Sequence, residues 1–454
     1  MTAVVWFRDD LRLADHPALD AAAAVGAVVP VFVLDGTFAN LGGAARWWLH
    51  RALAALDHDI AAKGGHLNLL PGDAAECLSH AAAQAGADEI HALASRIPAE
   101  RARQEVAVRK LAEEGVRLVL HPGALLHDPK SIRTGAGTAY SVFTPFWRAF
   151  ASSGIGLPRP APPVQWVDRR FGESLAEFAR LPAAPGWAEG LRETWAVGEA
   201  AAEARLEAFV ADGLADYARH RDRPDLPGTS RLSPDLRWGH LSPARVWRRV
   251  QLAIAADPAC EAGGWAFLRQ LGWREFAHHV LDAHPDLAVR NLKAGFDAFP
   301  WQTDRSALAR WRSGETGYPL VDAAMRELWR TGWMHNRCRM VAASFLVKDL
   351  RQDWRTGLAW FDDTLVDADP ALDPFGWQWV AGSGADAAPY FRVFNPLAQG
   401  KKFDPDGDYI ARWLPERADL PAAGRHVLGA RPVVDHDAAR RAALADWKRS
   451  MAGD

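Results

Sequence analysis

The 454-residue chain has only three cysteines, Cys77, Cys260 and Cys338, an odd and scattered set that argues against a disulfide framework. His335 and Cys338 stand at a spacing a metal could use, but no partner pair follows, and no metal site is expected. No uninterrupted apolar run is long enough to cross a bilayer. A basic stretch leading into a signal-type apolar core is also missing from the start, so a cytoplasmic location is expected. Glycine pairs occur at 135/137, 154/156 and 382/384, but Tyr140, Arg159 and Ala387 stand where a dinucleotide fingerprint needs its third glycine. None of the pairs follows a convincing strand, which disfavours a nicotinamide-dependent reductase. Internal repeats are absent too.

What is present describes a soluble globular chain, 49% hydrophobic and 24% charged, long enough for two or three domains. Its first ~130 residues alternate short apolar runs with amphipathic stretches, the signature of a parallel α/β sheet. Strands are expected at Val4–Phe7, Ala27–Leu34, Leu67–Leu70, Glu89–Leu93 and Arg117–His121, with helices such as Ala44–Lys63 and Ala99–Glu114 between them. Residues 151–190, rich in Pro, Gly and Ala, read as a linker wrapping between domains. Helical periodicity dominates from about Leu191. Ser233-Pro234 and Ser242-Pro243 each look like a capping hydroxyl before a first-turn proline, and Asp322 can start a helix that Gly332 stops. The expected division is 1–130, a Rossmann-like α/β domain; 131–195, a linker; and 196–454, a mostly α-helical domain.

Net charge is only −3, which alone would not suggest a nucleic-acid binder. Residues 231–350, however, hold 17 Lys and Arg against 12 Asp and Glu, and such a basic half can attract phosphates through its local field. Of 21 tryptophans, 12 lie between Trp238 and Trp379. Most must fill core, but several in sequence beside a redox cofactor would form a path of oxidisable indoles.

The richest segment is Asp367–Pro396, where Asp367 and Asp369, two apart, stand ahead of Trp377-Gln378-Trp379, with glycines at 376, 382 and 384 around them and then Tyr390, Phe391, Arg392 and Phe394. Acids, stacking rings and glycines together suit a planar, polar ligand. This segment resembles the flavin-surrounding region of the photolyase and cryptochrome flavoproteins. Gly228–Pro234 (GTSRLSP), Trp273–Phe276 (WREF), Thr316–Met325 (TGYPLVDAAM) and Gly332–Met340 (GWMHNRCRM) also resemble that family, in its order. The resemblance runs from Val4–Arg12 (VVWFRDDLR) to about Trp447, and motif wording leans toward bacterial class III cyclobutane photolyases.

That resemblance implies an α/β antenna domain, a helical FAD-binding domain, and blue-light repair of cyclobutane pyrimidine dimers in DNA by a monomer. The implied FAD contacts are Tyr217, Thr229, Ser230, Arg231, Leu232, Ser233, Phe267, Arg274, Asn336, Arg339, Asp367, Asp369 and Asp373, with Arg339 paired to Asp367. Trp301, Trp354 and Trp377 match the family's electron-transfer chain. Gln270, Trp273, Met340 and Trp379 match its lesion pocket, and Arg221, Arg337 and Arg392 its DNA contacts. Independently of the resemblance, helical spacing places Asn336, Met340, Ala343 and Val347 on one face of a helix over 334–350, with Arg339 at its edge. Glu100–Arg103 resembles the family's folate-binding edge, with Ala99 in place of the usual Asn. A second antenna chromophore, methenyltetrahydrofolate or a deazaflavin, is therefore expected.

Two positions depart from the repair pattern. Gln270 replaces a glutamate, so an amide can donate but cannot supply a proton. Asp373 replaces an asparagine beside flavin N5, as in plant cryptochromes, and a buried carboxyl there can hold and offer a proton. Both substitutions favour a signalling photoreceptor as the alternative.

Overall fold

The computed structural model describes residues 1–175, 186–387 and 391–451. Five parallel strands, β1 (Thr2–Phe7), β2 (Ala27–Leu34), β3 (Asn68–Pro71), β4 (Glu89–Leu93) and β5 (Arg117–His121), form one sheet in the order β3-β2-β1-β4-β5. Helices cover both faces, which is why β1 and β2 are apolar nearly throughout rather than alternating. The expected bounds of β2, β4 and β5 coincide with those observed, and β1 and β3 are shifted at their ends by one or two residues.

The strand order reverses between β1 and β4, the place where open α/β sheets usually leave a ligand crevice. Here that crevice is filled by charge. Arg8 pairs with Asp35 (3.1 Å) and Glu100 (3.3 Å), and Arg96 with Asp9 (2.9 Å). Arg96 also reaches Asp369 (3.5 Å) and the Arg237 carbonyl (2.9 Å), both in the helical half. Buried ions of this kind are costly to leave unpaired, so the network holds the two halves in one relative position.

Residues 131–195 do more than wrap. They carry the helix Phe143–Ser152, whose Phe143, Phe146 and Phe150 are buried among residues of the helix Glu261–Ala283. Trp166 and Glu173 add single bridges to Val28 and Leu69. Residues 176–185 of this stretch lie outside the described residues.

Three local expectations need correction. Ser242 does cap its helix, accepting from the Arg245 N–H at 2.9 Å, but Ser233 does not. Its hydroxyl accepts instead from the Trp333 indole at 3.1 Å, and Leu232 takes the cap position, so a tertiary contact outcompetes the local one. The helix ended by Gly332 begins at Pro319, three residues before Asp322, whose carboxylate binds the backbone of Thr316 and Gly317. The stretch 334–350 is not one uniform helix. It is an α-helix over Asn336–Ser344 and a π-turn over Phe345–Asp349. Val347 lies in that wider turn, buried in the same core cluster as Ala343, with Met340 packed against it.

Candidate active site

The helix Asn336–Ser344 and the segment entering the helix Leu372–Ala381 bring one guanidinium among several acids. Arg339 Nη2 donates to both Asp367 oxygens (2.9 and 2.7 Å), Nε donates to the Met334 carbonyl (2.8 Å), and Nη1 lies 3.9 Å from Asp373. Asp373 accepts from the Asp369 N–H at 2.9 Å. Burial lifts the Asp373 carboxyl well above its ordinary range; Arg339 opposes this, and Asp367 and Asp362 add to it. Asp369 behaves in the opposite way. Its burial is outweighed by His278, Arg96, Arg237 and Arg274, which hold it below the usual carboxylate range. Two acids four residues apart are thus pushed in opposite directions, a contrast common in working sites.

The stretch Thr229–Ser233 lies nearby in electrostatic terms. Arg231 has φ 53° and sits between the Trp195 and Trp333 rings, at 4.6 and 4.8 Å, with its Nε unpartnered. The Ser230 hydroxyl accepts from Leu232 N at 3.4 Å, and Thr229 is half-buried. Burial pushes Glu327 up to about 6, while Arg231 and Arg339 both draw it down, so one acid faces both arginines. Tyr217 meets Phe267 edge-on at 5.3 Å, with Arg221 over its ring at 5.8 Å. Arg274 is engaged with Glu275 (2.9 Å).

Trp377 and Trp354, 2% and 0% exposed, belong to one core cluster, and half-buried Trp301 packs against it. A Cβ on Gly357 would come within 2.1 Å of Trp377, so that glycine lets the indole lie against the helix Trp354–Thr364. Trp354 donates to Asn291 (2.9 Å). The Gln302–Gln352 bridge sets the Trp301 segment beside the start of that helix. The three indoles therefore run from half-exposed to fully buried within one packed unit.

Trp273 and Trp379 are both half-buried, on different helices. Phe143 lies flat on Trp273, centroids 3.7 Å apart at 8°, and Trp379 donates to the Asp386 carbonyl at 3.1 Å. Gln270 makes a 3.4 Å contact with its own helix, and Met340 lies 3.8 Å from the exposed Asn336. Arg392 is exposed and Arg221 half-buried. Arg337 is neither open nor free: its side chain is 17% exposed, pairs with Asp222 at 2.9 Å and lies over Phe403. Tyr390 lies outside the described residues. Glu100 is buried and bound by Arg8 and Ser95 rather than lining an open edge, and Arg101 pairs with Asp282.

Lys348 escaped sequence reasoning. It is buried in the π-turn, donates to the Arg392 carbonyl at 2.9 Å and lies 3.6 Å over Phe391. Burial, helped by Arg392 and opposed by Asp349, lowers its pKa from 10.5 to about 7. Between those values the unfolded chain binds a proton that the folded protein does not, so this lysine makes stability rise with pH from 7 to 10. Lys348→Met should remove about 2–4 kcal/mol of that rise, read by urea unfolding across the range. An unchanged pH slope in the variant would mean the lysine stays charged.

Phe143, Arg96 and Asp386 were missed as well, because each meets a partner far along the chain (Trp273, Asp369 and Ser141) and no local motif marks it.

The chain matches the family described as DNA photolyase over residues 3–164 and the FAD binding domain of DNA photolyase over residues 267–449. It is 42% identical to the deoxyribodipyrimidine photo-lyase of Agrobacterium fabrum, over 98% of this chain and 97% of that one. It is 35% identical to cryptochrome-2 of Arabidopsis thaliana, over 96% of this chain but 77% of that protein. The crystal structure of a bacterial class III photolyase from Agrobacterium tumefaciens superposes with a TM-score of 0.94 at 41% identity, covering 99% and 98% of the two chains. Fold, motif order and near-complete coverage agree, and the chain belongs to the DNA photolyase family.

Proposed function

We propose that the protein is a deoxyribodipyrimidine photo-lyase, which binds DNA carrying a cyclobutane pyrimidine dimer and splits the dimer under blue light. The observation that carries this reading is the Arg339–Asp367–Asp373 cluster, with Arg231, whose Nε is unpartnered, acting on the same Glu327 as Arg339. These residues fit FAD. Arg231 has no acid ion-pair partner among the described residues, and its buried Nε is also without a hydrogen-bond partner. Thr229, Ser230, Arg231, Leu232 and Ser233 would hold the phosphates, with Tyr217 and Phe267 beside them. Asn336, Arg339, Asp367, Asp369 and Asp373 would hold the ring and its polar edge, and Arg274 would act through Asp369. When bound and reduced, FAD supplies under blue light the electron that opens the dimer's two C–C bonds, and takes it back.

The chain's own residues do the rest. Trp301, Trp354 and Trp377 carry electrons inward from the surface. Trp273 and Trp379 offer flat walls to a flipped-out dimer, with Met340 between polar and apolar surface. The Gln270 amide donates a hydrogen bond to it. Arg221, Arg337 and Arg392 meet the strand's phosphates, Arg337 by exchanging Asp222 for one. A second chromophore, a folate or a deazaflavin, would serve as antenna. Residues 1–130 would form its domain, 131–195 the connection, and 196–454 the repair domain.

The deciding measurement is thymine absorbance in a dimer-containing oligonucleotide illuminated with the photoreduced protein. Absorbance should recover, and lesion binding should weaken with added salt. Arg392→Ala should lower affinity and flatten the salt slope by about one contact. Absorbance that stays flat would favour a photoreceptor, the reading supported by an aspartate at 373 whose carboxyl burial pushes well above its ordinary range.

A further inference from the structure

The two tryptophan walls stand on separate helices, Trp273 on Glu261–Ala283 and Trp379 on Leu372–Ala381. One residue of the following loop is bonded toward both. The carbonyl of Asp386 accepts from the Trp379 indole at 3.1 Å. Its N–H donates to the Ser141 carbonyl at 3.1 Å, and its carboxylate interacts with the backbone N–H of Phe143, which opposes the upward shift that burial gives the acid. Phe143 in turn lies flat against Trp273 at 3.7 Å, and the Arg269 guanidinium lies over Phe143 at 4.8 Å. To make these contacts Asp386 adopts φ 53°, a left-handed conformation uncommon for a residue with a side chain. Aspartate and asparagine tolerate it better than other non-glycine residues because their short polar side chains bond locally.

We propose that Asp386 is a positioning residue that sets the gap between the Trp273 and Trp379 walls and so the preference for a pyrimidine dimer over intact bases. The inference rests on the lesion-pocket reading above. A fused pair of bases is wider and more rigid than a single base, so a fixed gap discriminates where a slack one would not. The linkage is specific in chemistry. The backbone carbonyl orients one indole, the carboxylate orients the ring that backs the other, and the left-handed turn aims both.

The test uses the full-length, FAD-loaded protein with an oligonucleotide containing one thymine dimer and its undamaged counterpart. Asp386→Asn keeps the conformation and an acceptor for Phe143. Asp386→Gly keeps the conformation but lacks the carboxylate, and Asp386→Ala lacks both. Asn should stay within about twofold of the unaltered protein, whereas Gly and Ala should lose roughly tenfold in dimer affinity with undamaged DNA scarcely changed. Flavin content and photoreduction rate should stay constant and report that the fold is intact; if Ala does not fold, Gly and Asn carry the comparison. A Gly variant with the original dimer-to-undamaged ratio would overturn the inference, as would equal losses on both DNAs. If the unaltered protein itself shows no preference for dimers, the lesion-pocket reading falls, and this inference with it.

Discussion

Arg339→Ala is expected to purify with most of its FAD missing and to be less stable by about 3–5 kcal/mol, the usual penalty for removing one partner of a buried ion pair. Asp367 accepts both of its short bonds from this one guanidinium, and Asp373 sits 3.9 Å from the same group. Removing the cation leaves Asp367 buried beside a second carboxyl whose burial already disfavours its charge. Asp367 then loses both short bonds and must draw in water or repack, and either change alters the surface offered to the ring. Arg339→Lys should recover only part of the loss, since a single ammonium cannot stand in for Nη2 on Asp367 and for Nε on the Met334 carbonyl at once. Flavin absorbance per chain after gel filtration, with urea unfolding alongside, measures both effects. Full flavin retention in the alanine variant would place the ring elsewhere.

Trp377→Phe should slow light-driven flavin reduction by external thiol by tenfold or more, roughly, because a phenyl ring does not give up an electron as an indole does. Flavin content should stay near normal. Phenylalanine keeps an apolar ring in a site that is 2% exposed, avoiding the roughly 3–5 kcal/mol that an alanine cavity would cost. The substitution also removes an indole N–H that has no partner, which eases rather than harms packing. Trp354→Phe should slow reduction less, because Trp377 retains Trp311 edge-on at 6.3 Å as another neighbouring indole. Transient absorption after a laser flash would separate the two variants. Equal, unchanged rates in both would mean that electrons enter by a different path.

Much of this was legible in the chain. The sheet could be read because strands covered on both faces are apolar runs bounded by polar residues, and three of the five matched end to end. The Arg339–Asp367 pair was legible only through resemblance, since 28 residues separate its partners. Helix starts were less readable. Ser233 looked like a cap until Trp333, 100 residues away, took its hydroxyl. Pro319 was the better signal for the next helix, because proline suits a first turn, but Asp322 drew attention as an acid near an N-terminus. The π-turn left no trace in the periodicity, because every residue of Phe345–Asp349 is buried, Lys348 and Asp349 included, so no exposed face marks the extra residue. Arg96, Phe143 and Asp386 were beyond reach for a single reason: each acts across a gap in the chain that only folding closes.

The crevice between β1 and β4 has a consequence for protein engineering. Asp9 and Arg96 come from one half of the molecule, Arg237 and Asp369 from the other, and each is matched by charges across the seam. A chimera joining the first half of this protein to the second half of a relative would inherit two members of the set and must find the other two already complementary. One mismatch would leave an unpaired ion at the junction, so such a hybrid should aggregate or fail to accumulate even when each half is sound. Exchanging all four residues together should restore it. The seam behaves as a compatibility lock, and variation at any one of these positions is tolerated only in step with the other three.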